Sequence, residues 1–535
     1  MAISIKKVEI NPQFYHVLKI LENTRQNIFI TGRAGTGKST LLNHFVNHTK
    51  KNVAVLAPTG VAAVNVQGQT IHSFFRFKPT ITIDKVKKVY GSNNEIYQLV
   101  DAIIIDEISM VRADLLDCVD KFLRLNGKVR TKPFGGMQMI FIGDLYQLPP
   151  VVKGSEKEIF KTYYNSPYFF DALVFKNLNM EFIELEKNYR QTDEKFINLL
   201  NAIRNKSVTT EDLQEINKRL DPVFEPLSDE FYINLTTTNN LSDEINSKEL
   251  GKLTAKPFMF NGVIKGNFEK SYLPTSENLL IKVGSQIMLL NNDAQNRWIN
   301  GTIGKVMAIK DDNKKETVIE VKLAEGNIVE VKKHKWDLSQ IIYNKNTTKL
   351  ESEIIGSFLQ YPLRLAWAVT IHKGQGKTFE KVIIDIGTGT FAHGQVYVAL
   401  SRCTNLQGII LKKPIEKRHI WMDWKVVKFL TQFQYHLSEQ KLSFNEKIEL
   451  IKKAIHSQSN LSITYLKSSD EKSKRVIAPQ SVGMMEYQGK TYTGVAGYCF
   501  KRKDDRVFRV DRILELNILE KKADPGGLSD HLTGI

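Results

Sequence analysis

Cysteine is scarce in this chain of 535 residues, which contains only Cys118, Cys403 and Cys499. The three lie far apart in the sequence and form no CxxC pair. Disulfide frameworks and zinc or iron–sulfur sites need paired or clustered cysteines. The sequence therefore suggests neither a disulfide framework nor a zinc or iron–sulfur site, and we expect all three cysteines to be structural.

Long hydrophobic runs are also missing. No apolar run approaches the roughly 20 residues that cross a bilayer, and residues 1–10 lack the apolar stretch of a signal peptide. There is no internal repeat and no low-complexity segment. From the missing apolar runs we expect no membrane contact and a cytoplasmic location. Because single cores rarely grow past about 250 to 300 residues, we also expect three or four domains.

Acidic residues are fewer than basic ones: 58 Asp and Glu stand against 75 Lys and Arg, a net charge of +17. Such a surplus favours a polyanionic partner, because phosphate contacts release counterions. Many basic proteins bind no nucleic acid, so charge alone leaves both interpretations open.

The most informative segment that is present is IFITGRAGTGKSTLL at 28–42. An apolar run leads into the pattern GxxxxGK(S/T) and then into helix-forming residues, which predicts a phosphate-binding loop between a strand and a helix. Lys38 can reach the β- and γ-phosphates, and the Ser39 hydroxyl can ligate Mg²⁺ at the helix N-terminus. The candidate nucleotide-binding residues of this loop are Gly32, Ala34, Gly35, Thr36, Gly37, Lys38, Ser39 and Thr40.

Polar motifs follow two further apolar runs in the first part of the chain. The runs at 53–57, 102–105 and 139–142 are typical of buried parallel strands, whose carboxyl ends form the ligand edge of an open sheet. Asp106 and Glu107 follow the second run, so Asp106 can hold Mg²⁺ and Glu107 can polarise the attacking water. Asp144 and Gln147 follow the third run, where Gln147 can sense the γ-phosphate.

Two arginines stand in motifs suited to stabilising phosphate charge: Arg190 in LEKNYRQ and Arg402 in YVALSRCTN. The planar guanidinium matches phosphate oxygens bidentately. A lone arginine in a basic chain is usually solvated, so this hypothesis depends on the flanking motifs. If each of two lobes contributes one arginine, hydrolysis changes the separation of the lobes.

Two segments have the composition of a polyanion contact. In 57–75, Thr59 and His72 can grip phosphates, whereas the adjacent Phe74 and Phe75 are more often core residues than a stacking platform. In 370–382, His372 and Lys373 can contact a nucleic-acid backbone.

The rest of the chain predicts further α/β and β structure. Apolar runs between 363 and 411 indicate a second lobe, and short β-rich runs between 281 and 333 indicate a small β-barrel inserted into it. Four β-rich runs between 462 and 513 indicate a terminal module, and the polar tail at 521–535 is expected to be disordered.

Taken together and in this order, these motifs resemble the petite-integration-frequency (PIF) DNA helicases, RecD-like members of the 5′ to 3′ branch of superfamily one. The resemblance covers residues 1 to about 415 and is carried by GRAGTGKST, APTGVAA with TIHSFF, IIIDEISM, KPFGGMQMIFIGDLYQLPPV, LEKNYRQ, LAWAVTIHKGQGKTFE and VYVALSRC. It implies an α/β protein with two RecA-like P-loop NTPase lobes and a small β-barrel insert. The implied ranges are 1–190 for the first lobe, 191–290 with 362–435 for the second, and 291–361 for the barrel.

The resemblance also implies what each motif does. ATP and Mg²⁺ are the cofactors, and single-stranded DNA lies across both lobes of a monomeric motor that acts on tailed or forked duplexes near the bacterial nucleoid. Phosphates and Mg²⁺ are bound by Lys38 and Ser39, and the metal and the attacking water are served by Asp106 and Glu107. The γ-phosphate is sensed by Gln147, Arg190 and Arg402. DNA contacts fall on Thr59, His72, His372 and Lys373, Gly376 approaches the nucleotide, and Gln13 stands near the adenine-contacting glutamine of the family.

The end of the chain resembles a second family. The segments ITYLK, KRVIAPQSV and TYTGVAGYCFKRKDDRVFRVDRILEL are similar to a WYL domain, an Sm-like β-rich module, here 440–520, although the namesake tripeptide is missing. The resemblance implies a groove for a nucleic-acid or nucleotide ligand, formed by Arg475, Tyr498, Arg502, Arg506 and Arg512. A basic, solvated face that packs against the motor is the alternative.

Three functions stay open at this point. The leading one is a 5′ to 3′ DNA helicase, and the second is a single-strand translocase without efficient unwinding. The third is a ligand-responsive regulator whose lobes act as a switch, against which the retained catalytic residues argue.

Overall fold

A computed structural model describes residues 10–90, 94–152, 160, 162–191, 193–227, 229–311, 317–344, 349–371, 373–374, 377–386, 393–467, 472–487 and 489–519. The chain forms two compact units. The first comprises 1–204 and 208–421, and the second comprises 422–535 together with 205–207. Over the described ranges, every helix is too short or too polar to cross a membrane.

The secondary structure alternates at first and becomes β-rich later. The α-helices of the described part are α1 (Pro12–Asn23), α2 (Lys38–His48), α3 (Gly60–Asn65), α4 (Ile71–Phe74), α5 (Glu95–Leu99), α6 (Ala113–Asn126), α7 (Glu194–Arg204), α8 (Thr210–Asn217), α9 (Asn239–Lys252), α10 (Gln395–Leu400), α11 (Trp424–Lys441) and α12 (Phe444–His456). The strands are β1 (Asn27–Gly32), β2 (Val53–Ala57), β3 (Gln69–Thr70), β4 (Ala102–Ile105), β5 (Gln138–Ile142), β6 (Met180–Leu185), β7 (Ile233–Thr236), β8 (Pro257–Asn261), β9 (Val263–Gly266), β10 (Asn278–Lys282), β11 (Gln286–Leu289), β12 (Ile303–Asp311), β13 (Thr317–Leu323), β14 (Ile328–Val331), β15 (His334–Asn344), β16 (Lys349–Gln360), β17 (Leu363–Leu365), β18 (Ala368–Thr370), β19 (Val382–Ile384), β20 (Ile409–Leu411), β21 (Asn460–Leu466), β22 (Lys472–Tyr487), β23 (Lys490–Cys499), β24 (Asp504–Arg509) and β25 (Ile513–Leu519).

The first lobe is built on a six-stranded parallel sheet in the order β3-β2-β4-β5-β1-β6. The inner strands β2, β4, β5 and β1 are largely apolar and buried, as expected where both faces of a parallel sheet are covered. Helices α1 and α2 pack on one face through Phe14, Leu21, Leu42 and Phe45. Since β1, β4 and β5 run parallel, the motifs that follow them reach the same edge of the sheet. The three predicted strands of this lobe are confirmed.

The second lobe is built on a shorter parallel sheet in the order β18-β7-β19-β20. Its strand residues are mostly buried, and α9 contacts β18 through Asn246, whose side chain bonds both the N–H and the C=O of Ala368. Helix α10 leads from this lobe to Arg402. The α/β fold class with two P-loop-type lobes is therefore confirmed.

An antiparallel insert separates β7 from β18. Its strands form sheets of five (β14-β13-β12-β11-β17), three (β15-β16-β9) and two (β10-β8) strands. A core that includes Ile281, Val306, Val321 and Tyr361 joins β10, β12 and β13. The insert is longer than the predicted 291–361, because the segment from β8 to β11 pairs antiparallel outside the parallel sheet.

The second unit consists of α11, α12 and the antiparallel sheet β24-β23-β22-β21-β25. Helix α12 begins with a capping box between Ser443 and Glu446 and covers a core that contains Ile463, Ile477 and Val495. This compact unit begins at Met422, before the predicted boundary at 435–440, and includes α11, since Ser438 donates its hydroxyl to the carbonyls of Ile513 and Leu514. The tail predicted to be disordered lies outside the described residues.

The three cysteines are buried and form no disulfide. Each lies in the apolar interior, with Cys499 in the core of the second unit. Burial raises the pKa of the Cys118 thiol to about 12 and that of Cys403 to about 11, so both stay protonated at neutral pH. Structural roles for the cysteines follow.

Candidate nucleotide and nucleic-acid sites

The loop between β1 and α2 has the backbone of a phosphate cradle. Gly35 and Gly37 have positive φ values of 85° and 81°, in the left-handed region that glycine adopts without strain. A Cβ at position 35 would lie 2.5 Å from Cβ of Arg190, so a side chain is also excluded by space. These constraints explain why the loop needs glycine and how it can present backbone N–H groups to an anion.

Lys38 folds back onto this loop. Its ammonium donates to the carbonyls of Gly32 at 2.7 Å and Arg33 at 3.0 Å. Burial lowers the pKa of Lys38, and the carboxylates of Asp144, Glu107 and Asp106 oppose this effect. A cation so placed, held only by backbone carbonyls, is well matched to incoming phosphate oxygens.

The acidic pair lies at the end of β4. Asp106 accepts a hydrogen bond from the Glu107 N–H at 2.9 Å. Glu107 has a φ of 50°, which is unfavourable for a non-glycine residue and is typical of functional sites. Burial, and then the neighbouring Asp106, raises the pKa of Glu107 to about 7, whereas burial raises that of Asp106 against the opposing pull of Lys38.

A cavity of about 490 Å³ lies over the loop and joins groups from both lobes. The first lobe contributes loop residues, Glu107 and Gln147; the second contributes Thr378 and Arg402. Its lining residues are Ala34, Gly35, Thr36, Gly37, Lys38, Ser39, Thr40, Glu107, Gln147, Tyr189, Arg190, Thr378 and Arg402. The structure thus brings together the predicted catalytic residues except Asp106, which is hydrogen-bonded to Glu107 just behind the lining.

The two predicted arginines meet at this cavity. Arg402 is 1% exposed, and its guanidinium donates to Val398 O at 3.0 Å and to Ser401 Oγ at 3.1 Å. Burial, and then the nearby Arg190, lowers the pKa of Arg402 to about 9. Burial also lowers the pKa of Arg190, which donates to Ser401 O at 3.3 Å. Two like charges that face one cavity favour a polyanionic ligand between them.

Gln147 is held by a buried network that sequence motifs did not reveal. Its side-chain amide donates to Asp144 at 3.1 Å, and Asp144 pairs with Arg204 of α7 at 3.6 Å. The Arg204 guanidinium also lies 3.9 Å from the ring centre of Tyr146. Arg204 and Asp144 are distant in sequence, so only the fold brings them together.

Some residues at the nucleotide cavity were not predicted from the sequence, and one predicted residue lies outside the cavity lining. Tyr189, Thr378 and Tyr397 were not predicted; the Tyr397 hydroxyl accepts from the Ala34 N–H at 3.1 Å. Gln13 lies outside the cavity lining and bonds the backbone at Glu184 and Glu186. Gly376 lies outside the described residues. All three lie inside recognised motifs, LEKNYRQ, LAWAVTIHKGQGKTFE and VYVALSRC, but were assigned no role there.

The acidic groups suit a lightly ligated cation. The described residues contain no cluster of three or more His, Cys, Asp or Glu side chains that could hold a metal ion by itself. Mg²⁺ bound with a nucleotide takes one or two protein oxygens and completes its shell with phosphate and water. Ser39 and Asp106 fit that donor set.

A second cavity, also of about 490 Å³, contains two of the predicted DNA-contacting residues. Thr59 caps α3 through its hydroxyl and faces Lys373 of the second lobe across this space. Its other lining residues are Val61, Ala62, Glu107, Met110, Leu273, Pro274, Thr275, Ser276, Leu290, Asn300, Arg364 and Lys377. Glu107 lines both cavities, so this acidic residue lies where the two sites meet.

Of the two other predicted DNA residues, His72 does not line this cavity. His72 lies elsewhere on α4, and burial, followed by Arg112, lowers its pKa. His372 lies outside the described residues. Phe74 and Phe75 are buried against Tyr97 and Phe122, which confirms them as core residues.

The five predicted groove residues of the terminal unit do not share one face. In an antiparallel pair, directly opposed residues point to the same side of the sheet. Arg475 pairs with the core residue Ile463, and Arg506 lies two residues before the core residue Phe508 on β24. Tyr498 precedes the core residue Cys499 and therefore faces the opposite side. Arg502 is exposed in the turn before β24, and Arg512 lies in a short 3-10 turn before β25.

Two parallel-sheet lobes that share a phosphate-loop cavity define the chain as a two-lobed P-loop NTPase. A family model for PIF1-like helicases matches residues 11–214, and one for the WYL domain matches 446–518. The ATP-dependent DNA helicase Pif1 of Bdellovibrio bacteriovorus is 30% identical over 80% of this chain and 93% of its own length. The chain belongs to the PIF1-like helicase family and carries a C-terminal WYL domain.

Solved structures and longer relatives agree with this assignment. The Bacteroides sp Pif1 structure in complex with ADP-AlF4 is 37% identical, covers 79% of this chain and 96% of the Pif1 chain, and has a TM-score of 0.73. A second Bacteroides Pif1 structure, bound to single-stranded DNA, is 38% identical over 79% of this chain and 96% of its own, with a TM-score of 0.57. The PIF1 helicase of Emericella nidulans is 30% identical over 77% of this chain, which spans 62% of that relative.

Proposed function

We propose that this protein is an ATP-dependent DNA helicase that moves 5′ to 3′ along single-stranded DNA and separates duplexes ahead of it. The observation that carries the proposal is the junction of the two cavities. Glu107 lines both, and the carbonyl of Lys377, a residue of the second cavity, accepts a hydrogen bond from Arg402 of the first at 3.4 Å. A movement of Arg402 or Glu107 on nucleotide binding or hydrolysis therefore acts directly on residues that line the nucleic-acid site.

Each group at the nucleotide cavity has a role that follows from its position. The loop amides and Lys38 bind the phosphates, and Arg190 and Arg402 stabilise the negative charge that develops on the transferred phosphoryl group. Glu107 orients the attacking water and accepts its proton, and Gln147 contacts the γ-phosphate from the Asp144 and Arg204 network. Gln13, supported by the backbone bonds at Glu184 and Glu186, is proposed for adenine.

Ser39 and Asp106 would hold Mg²⁺ with the nucleotide. When bound, Mg²⁺ supplies charge neutralisation at the β- and γ-phosphates. The proposal draws support from the ADP-AlF4 complex of the Bacteroides relative.

Movement along DNA follows from the division of groups between lobes. Thr59 belongs to the first lobe and Lys373 to the second, so opening and closing of the lobes alternates their grip on the strand backbone. His72, His372 and Gly376 stay proposals of the family resemblance. Breaking the stacking of one base-pair step costs a free energy of about 1.4 kcal/mol, which is small for each step. The ATP cycle is therefore needed mainly to give strand separation a direction.

The test is steady-state ATPase with and without single-stranded DNA, beside unwinding of duplexes with a 5′ or a 3′ tail. We expect DNA-stimulated hydrolysis and selective opening of the 5′-tailed duplex. Stimulation without unwinding of either duplex would favour a pure translocase. Absence of stimulation would contradict a DNA-driven motor and favour a regulatory role.

The second unit is proposed as an accessory nucleic-acid or nucleotide-binding module. Support comes from its match to the WYL domain and from Arg502 and Arg506, which are exposed on the turn and strand of the β23–β24 hairpin. We further propose that the protein acts as a monomer in the cytoplasm, at the nucleoid.

A further inference from the structure

Three basic residues lie on one wall of the second cavity: Arg364, Lys373 and Lys377. Lys373 was predicted from its motif, whereas Arg364 on β17 belongs to no recognised motif. Arg364 and Lys373 also line an adjoining cavity of about 350 Å³ beside α9. The two cavities therefore share a basic boundary that runs from the insert to the second lobe.

Among the described residues, the Arg364 guanidinium has no partner for its charge. Its guanidinium makes no hydrogen bond or ion pair with any residue of the described ranges, and the carboxylate that acts on it is Asp243 of α9, beyond ion-pair distance. Burial lowers the pKa of Arg364. A half-buried charge without a partner destabilises a fold. Its presence on a cavity wall indicates an anionic ligand.

Lys377 has only neutral partners. Its ammonium donates to Asn300 Oδ1 at 3.1 Å and lies 3.2 Å from Met288 Sδ, both on the insert. Lys377 also lines a cavity that contains the carboxylates of Glu230 and Asp229. These two carboxylates form ion pairs with other lysines, Glu230 with Lys381 at 3.0 Å and Asp229 with Lys305 at 3.6 Å. The charge of Lys377 is thus also available to a ligand.

We propose that Arg364 and Lys377 form a phosphodiester-binding pair in the single-stranded DNA path, with Arg364 gripping one backbone phosphate bidentately at the boundary of the two cavities. This inference rests on the proposed function. The planar fork of arginine matches two phosphate oxygens, and Lys377 acts as a point charge beside it. Because the Lys377 carbonyl bonds Arg402, the pair connects the insert, the DNA path and the nucleotide cavity.

The first experiment compares Arg364→Met with Arg25→Met, which removes an exposed arginine on the α1–β1 connection. Binding of a fluorescent oligothymidylate is measured by anisotropy over a series of salt concentrations, and thermal unfolding is measured in parallel. Each phosphate contact on a single strand contributes about 0.7 to the slope of log K against log salt. We expect Arg364→Met to make the slope shallower by about that amount and to weaken binding about 3- to 10-fold, uniformly across sequences.

Stability separates a ligand-binding role from a structural one. If Arg364 serves DNA, its replacement by methionine leaves the unfolding midpoint unchanged or raises it, because a half-buried charge without a partner in the described residues is removed. If the midpoint falls together with affinity, Arg364→Lys decides: recovery of binding supports the charge contact, and binding as weak as that of the methionine variant contradicts it. Equal slopes for Arg364→Met and Arg25→Met would overturn the inference.

The wild-type protein tells the two proposals apart. Wild-type binding with a salt-dependent affinity and DNA-stimulated ATPase, together with an Arg364→Met variant that matches the control, defeats only the phosphodiester pair. A wild type that binds no single-stranded DNA defeats the proposed function and this inference with it.

Discussion

At the scale of single residues, Glu107 is the sharpest test of the chemistry. The pKa of Glu107 is raised to about 7, so the site tolerates a neutral side chain and glutamine fits in its place. We expect Glu107→Gln to keep ATP and DNA binding and to lower turnover about 10²- to 10⁴-fold, the range for a lost general base. Steady-state ATPase and binding of a fluorescent ATP analogue measure the two effects. Glu353→Gln, exposed on β16, is the control, and normal turnover in Glu107→Gln would refute the assignment.

Lys377 gives a pH prediction for stability. Burial, and then Arg364, lowers the pKa of Lys377 to about 7 in the folded chain, against an ordinary value of 10.5. Between these values the unfolded chain binds more protons, so stability contributed by this site rises from pH 7 to pH 10.5. We therefore expect Lys377→Met to raise the unfolding midpoint more at pH 7 than near pH 10.

Several charged groups near Lys377 also influence its pKa and therefore the pH dependence of stability. Arg364, Lys373 and Glu107 face it from the second cavity, and Glu325 and Glu380 line the space on its other side. The control is Lys322→Met, which removes an exposed lysine of β13. A shift in midpoint for Lys377→Met that is equal at both pH values would show that the lysine is not desolvated.

Local motifs predicted the residues whose partners are close in sequence. Lys38 and Ser39 follow a strand directly, and Glu107 follows Asp106, so a short pattern was enough. Arg204 and Arg364 escaped, because each meets the site from a different element and lies outside the recognised motifs, whereas Tyr397 lies inside VYVALSRC but was assigned no role. Long-range assembly, and not residue type, separates the two groups.

At the scale of elements, α11 and α12 are tied to the terminal sheet by a buried polar chain. Lys447 of α12 is 2% exposed and donates to Ser438 Oγ at 2.7 Å, and Ser438 donates to the carbonyl of Leu514 at 2.7 Å. Burial lowers the pKa of Lys447. The ammonium needs this acceptor, since an unsatisfied buried charge is costly.

We expect Ser438→Ala to destabilise the second unit by about 1–3 kcal/mol, the cost of leaving a buried donor without its partner. Hydrogen exchange at the amides of β21 and β25 measures the change within the full chain. Ser481→Ala, exposed on β22, is the control. Adding Lys447→Met to Ser438→Ala should restore part of the protection, because the unsatisfied charge is then removed; no restoration would contradict the explanation.

Strands were predictable from the sequence where both faces of the sheet are buried. The apolar strands β1, β2, β4 and β5 of the first sheet and β19 and β20 of the second were recognised, although their order required the structure; β3, β6, β7 and β18 were not predicted. The strand β8, PFMFN, alternates exposed and half-buried residues and looked like part of the second lobe. Helix α11 has an apolar side with Val426 and Leu430, but sequence does not reveal which core that side joins.

At the scale of the whole molecule, the boundary between the two units makes a truncation experiment decisive. All residues of the nucleotide and DNA cavities lie in 1–204 and 208–421. A chain ending at 421 therefore keeps both sites, whereas one ending at 439 keeps most of α11, including the apolar Val426 and Leu430, without the terminal sheet of its unit. Exposed apolar surface of this kind promotes aggregation.

We expect the 1–421 chain to remain monomeric on size exclusion with a maximal DNA-stimulated ATPase close to that of the full chain, and the 1–439 chain to aggregate. If the second unit is an accessory binding module, 1–421 needs more single-stranded DNA for half-maximal stimulation, and Arg502→Gln with Arg506→Gln in the full chain reproduces part of that change. Equal DNA requirements in all forms would eliminate the accessory role while leaving the motor intact. Loss of ATPase from a folded 1–421 chain would instead mean that the second unit completes the motor.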